Sequence, residues 1–103
     1  MNKNKSGSWR YQAVYIEHDT GKNKKDREYS ICEIYLDKDG RLENWTESPS
    51  IAPGGVTFEE LTGDIRFMLD DVSKWEAVAF ESLRVGMTIE ENKHEQKNEI
   101  LTS

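Results

Sequence analysis

Between Tyr29 and Asp71 four signals follow one another that leave few ways to fold: an alternating strand, a D-x-D-G turn, a second short strand and a helix with a marked start. The helix start is the sharpest of them. Thr57 is placed as an N-cap whose hydroxyl accepts from the Glu60 amide while the Glu60 carboxylate reaches back to the Thr57 amide. Val56 and Leu61 take the two positions of a hydrophobic staple, and Glu59 and Glu60 suit the positive end of the helix dipole. From there Phe58, Leu61, Ile65, Met68, Leu69 and Val72 form an apolar stripe at helical spacing, which predicts a helix over 58–72 laid across a sheet.

Upstream the period is two. Tyr29, Ile31, Glu33 and Tyr35 alternate with Ser30, Cys32, Ile34 and Leu36, so this strand is expected to turn Cys32, Ile34 and Leu36 into the core. Asp37, Lys38, Asp39 and Gly40 make a tight turn into a third strand near 41–46. An earlier strand carries Trp9, Tyr11, Ala13 and Tyr15 on one parity and Arg10, Gln12, Val14, Ile16 and His18 on the other. Residues 19–27, with turn formers and charge but no apolar side chain, read as an exposed hairpin loop. The segment SPSIAPGG, with two prolines, cannot continue a sheet and must cross to the helix. After Lys74 the pattern is ambiguous: Trp75, Ala79 and Leu83 fit helical spacing, whereas 77–82 fits a short strand, which is the preferred reading.

The expected fold is therefore α+β: a three-stranded antiparallel meander, extended by a fourth strand near 77–82, packed by one face on a single amphipathic helix. At 103 residues there is room for one domain, assigned to 8–88, with flexible tails at 1–7 and 89–103. Hydrophobic residues are 35% and charged ones 33%, so the core is modest and self-association is a way to add to it. No apolar stretch is long enough to span a bilayer and the first residues lack the apolar segment of a signal peptide, which predicts a cytoplasmic protein without membrane contact.

The net charge of −6 hides an asymmetry. Residues 1–27 hold seven Lys or Arg against three acids, a balance of +4, which leaves −10 for the rest. A nucleic-acid partner is disfavoured, because counterion release needs a concentrated basic face and only 22–27 could offer one.

No reaction is legible in the side-chain inventory. Asp37, Asp39 and Gly40 start like a calcium loop, but Arg41 stands where an oxygen ligand is needed and Ser48 where the bidentate Glu belongs. Gly54 and Gly55 precede a helix, yet Glu59 and Glu60 fill the anion position themselves. His18 and His94 have no Cys or second His at ligand spacing, and Cys32 lies in an apolar alternation without an activating base. No catalytic residue, metal site or cofactor is predicted, and an enzyme is the less favoured class.

The aromatic residues are the one feature that points beyond folding. With the helix on the Cys32 face, the opposite sheet face would be rich in Trp and Tyr, and Tyr11, Tyr15, Tyr35 and Trp45 are the predicted interaction surface. The partner is a second copy of the chain or another protein. An acidic inhibitor seated in a basic nucleic-acid site is an alternative that should weaken steeply with salt; a small-ligand binder or enzyme of unknown reaction is another.

The run from Ile34 to Asp71, with its D-x-D-G turn, W-T, P-G-G-x-T-x-E-E-L and D-I-x-x-M-L, resembles a group of short uncharacterised bacterial proteins. Its plan is similar to the HicB-like antitoxin domain, a β-meander followed by a helix opening with G-x-T-x-E-E. The resemblance covers about 40 residues and implies an α+β domain, often oligomeric, that binds a small protein toxin. This chain departs from that family in lacking a downstream DNA-binding domain, since residues 84–103 cannot form one. Autoregulation of an operon is therefore not implied.

Overall fold

The computed structural model describes residues 7–21 and 25–92. Two long strands, β1 (Ser8–Asp19) and β2 (Lys25–Leu36), form an antiparallel hairpin; β3 (Leu42–Trp45) follows, then helix α1 (Phe58–Lys74), a two-residue strand β4 (Val78–Ala79) and a 3-10 turn at Phe80–Ser82. The sheet order is β3-β2-β1-β4, with β4 parallel to β1 and the other pairs antiparallel. This is the expected α+β class. The fourth strand is shorter than expected and its direction follows from the crossing: α1 carries the chain from the β3 edge of the sheet to the β1 edge.

The hairpin is longer than its apolar residues alone predict. Its polar end holds through cross-strand partners, Arg27 Nε to Glu17 Oε2 at 3.2 Å and His18 Nε2 with Glu28 Oε1 at 3.0 Å. At the β2–β3 turn Asp37 Oδ1 accepts from the Asp39 and Arg41 amides, and Gly40 takes the positive φ of 81° that the reversal needs. After β3 the chain follows the outer edge of β2: the Thr46 and Ile51 amides donate to the Glu33 and Ile31 carbonyls before the chain crosses to α1.

Register assigns the sheet faces. Gln12 pairs with Cys32 and Arg10 with Ile34, whereas Tyr11 pairs with Glu33 and Tyr15 with Tyr29, so the aromatic parity of β1 shares a face with that of β2. The buried cluster of Val14, Cys32, Ile34, Leu42 and Leu83 lies on the Gln12/Cys32 face. It is covered by the segment after the helix, Val78, Phe80, Met87 and Ile89 packing on it together with Leu36 and Trp45. That segment is tied down at both ends: the Gly86 amide donates to the Leu42 carbonyl and the Leu42 amide to the Met87 carbonyl, and Trp75 bridges to Glu91. The folded unit thus continues past residue 88, through Ile89 and Glu91; residues 1–6 and 93–103 of the expected tails lie outside the described residues.

Helix α1 takes the other face, which corrects the expected packing. Its Thr57 cap is as read, with Oγ1 accepting from the Glu60 amide at 3.1 Å, but the Glu60 carboxylate accepts from the Val56 amide and Val56 is 93% exposed, so no staple forms. Thr57→Ala is expected to lower stability by about 0.5–2 kcal/mol in denaturant melts, because one orphan amide loses its acceptor. Of the predicted stripe only Met68 is buried; Phe58, Ile65 and Leu69 are exposed.

Candidate interaction surface

The helix is held by polar groups as much as by apolar ones. Tyr11, 6% exposed, donates its hydroxyl to Asp64 Oδ1 at 2.8 Å, and its backbone amide, on the edge of β1 that β2 leaves free, donates to Asp71 Oδ2 at 3.0 Å. Asp64 also accepts from the Gly54 amide at 3.0 Å, so a single carboxylate fastens the crossing loop, the helix and β1 together. Around Tyr11 the Phe67 and Trp9 rings meet it edge-on, with centroids at 5.3 and 5.2 Å. Where α1 ends, the Arg10 guanidinium lies 3.9 Å from the Trp75 ring centre and donates to the buried Gln12, whose amide donates to the Glu76 carbonyl at 2.7 Å.

This geometry explains the orientation of α1. Leu61, Asp64, Met68, Asp71 and Trp75 follow one another at spacings of three and four and so share a side of the helix. Hydrogen bonds from buried donors to carboxylates contribute roughly 1.5–3 kcal/mol each, comparable with burying one large apolar side chain, so two such bonds, together with burial of Met68 and part-burial of Leu61 and Val72, offset leaving Phe58, Ile65 and Leu69 outside. Phe58, Ile65 and Leu69 fall within about 40° of one another on the helix, at 100° per residue, and Phe67 lies about 180° from Phe58. The result is an open apolar line, Phe58 78%, Ile65 45% and Leu69 60% exposed, with Val56 just ahead of it. Ile65→Ala is accordingly expected to cost no more than about 1 kcal/mol in monomer stability, well under the roughly 2–5 kcal/mol of a fully buried site.

The four aromatic residues predicted to share a contact surface are not brought together. Tyr11 is covered by α1. Trp45 lies on the opposite face, where it packs on the core. Tyr15 is half-buried, its ring 5.6 Å from Tyr29 and beneath the Arg27 guanidinium at 4.0 Å. Tyr35 is exposed on the α1 face and donates its hydroxyl to Glu33 at 2.6 Å. Alternation alone could not tell which sheet face α1 would take. The signal for it was present in Asp64 and Asp71, which a search for apolar periodicity passes over.

The shifted titrations have structural causes. Burial first, then the bond to Asp64, pushes the Tyr11 hydroxyl up to about 12, and burial pushes the Cys32 thiol up to about 11 against a weaker opposing pull from Thr46. Burial lowers Arg10, with Asp71 opposing. A hydrogen bond from Tyr35 to Glu33 raises the Tyr35 hydroxyl. Both Tyr11 and Cys32 bind their protons more tightly folded than unfolded, so their contribution is complete below the ordinary values of 10.0 and 9.0 and is lost as pH rises toward 12 and 11. Denaturant melts should therefore show these contributions disappearing above about pH 9, with Tyr11→Phe removing the upper part of that loss. A thiol reagent at neutral pH should modify Cys32 only after unfolding.

Among the described residues no group of three or more His, Cys, Asp or Glu side chains could hold a metal ion, and no helix is long and apolar enough to cross a membrane. Comparison of the chain with protein-family models, with curated proteins and with solved structures finds no match.

Proposed function

We propose that this chain is a non-enzymatic, cytoplasmic protein-interaction module whose contact surface is the open apolar side of α1. The observation that carries the reading is the line of Phe58, Ile65 and Leu69, left open to solvent on the side of α1 turned away from its seat on Tyr11. Contiguous exposed apolar side chains of this size are characteristic of binding surfaces, and water is their least favourable cover. The similarity in plan to the HicB-like domain favours the same class of partner, a small protein. Tyr35 and Trp9, exposed on the α1 side of the sheet, extend the surface.

Photo-crosslinking in the producing cell tests this. A benzophenone amino acid at position 58 or 69 should give one discrete protein adduct, and the same group at the exposed Glu43 should give none. Equal, diffuse labelling from all three positions would contradict the reading.

A further inference from the structure

We propose that the occupant of this surface is a second copy of the chain, the two α1 helices crossing antiparallel about a two-fold axis. The inference rests on the interaction reading above and names its partner. It is carried by the charges beside the apolar line. Glu59 and Arg66 are both exposed, and neither belongs to the two ion pairs found among the described residues, Arg27–Glu17 and His18–Glu28. They lie on the same flank of the line, about 100° and 80° from Phe58 and two turns apart along the helix.

A two-fold axis lying in the contact plane and perpendicular to the helices keeps like flanks together and reverses their order. Glu59 then faces the partner's Arg66, and Arg66 faces the partner's Glu59, so one charge pair is made twice. A parallel pairing, about an axis running along the helices, puts the two copies of this flank on opposite sides of the contact and makes neither pair, so the matched charges select the antiparallel arrangement. The same axis sets Phe58 against the partner's Leu69 and Ile65 against the partner's Thr62.

Sedimentation equilibrium of the full chain is the test. The expected mass is twice 11.9 kDa at high concentration. Arg66→Glu or Glu59→Arg alone should raise the dissociation constant about tenfold, since two attractive pairs become repulsive, and the double variant should return within about threefold of the original. Leu69→Asp should give a monomer with unchanged circular dichroism. A strictly monomeric chain, or a dimer indifferent to all of these substitutions, overturns the pairing. An adduct between position 58 and a different protein would overturn self-pairing while leaving the interaction reading in place; the absence of any discrete adduct would overturn both.

Discussion

Ile34→Ala should lower the stability of the fold by about 2–5 kcal/mol, a large share of what a domain of this size possesses. Ile34 is fully buried in β2, sits across from Trp45, and shares its cluster with Val14, Cys32, Leu42 and Leu83. The surroundings cannot collapse easily into the space it would leave, because the covering segment is pinned to Leu42 on one side and to Trp75 on the other. The measurement is a urea titration followed by tryptophan fluorescence. A loss below about 1 kcal/mol would mean that residues 78–89 do not cover that face of the sheet.

Tyr11→Ala should be comparably severe, about 3–5 kcal/mol, for a different reason. Its ring is the surface on which Phe67 rests, its hydroxyl satisfies Asp64, and Asp64 in turn holds the Gly54 amide of the crossing loop. Removing the ring therefore loosens the loop, the helix and the strand edge together. Tyr11→Phe isolates the polar part and should cost less, about 1.5–3 kcal/mol, the range for a hydrogen bond to a charged acceptor. Were Tyr11→Ala to melt like the parent chain, the helix would have to lie elsewhere on the sheet.

Most of the architecture was legible in the residues between Tyr29 and Asp71, because each element there carries a local cause. Period-two alternation gives the strands, Asp37 and Gly40 give the turn, and Thr57 gives the helix start; all three act within four residues of themselves. Which face the helix covers is not local. It was settled by Asp64 and Asp71, two carboxylates that meet Tyr11 across 53 and 60 residues of sequence, and by the segment after Lys74 competing for the apolar face. That segment offers few periodic residues, and its hold on the sheet comes from backbone bonds at Leu42 that no side-chain pattern announces.

The contact surface shifted for the same reason. A tyrosine-rich parity such as Tyr11, Tyr15 and Tyr35 looks like a binding face while its cover is unknown, and Tyr11 turns out to be the seat of the helix. Conversely, Phe58, Ile65 and Leu69 look like core because they recur at helical spacing, yet spacing shows only that they share a side. The side they share is the one turned to solvent.

Hydroxyl-radical footprinting of the full chain across a dilution series, read by peptide mass spectrometry, tests the surface most directly. Phe58, Ile65 and Leu69 should be oxidised in dilute solution and protected as the concentration rises, with Tyr11 and Met68 protected throughout. Oxidation of Phe58 and Leu69 that stays constant with concentration, while Tyr29 and Tyr35 become protected, would place the contact on the distal sheet and contradict the pairing of α1.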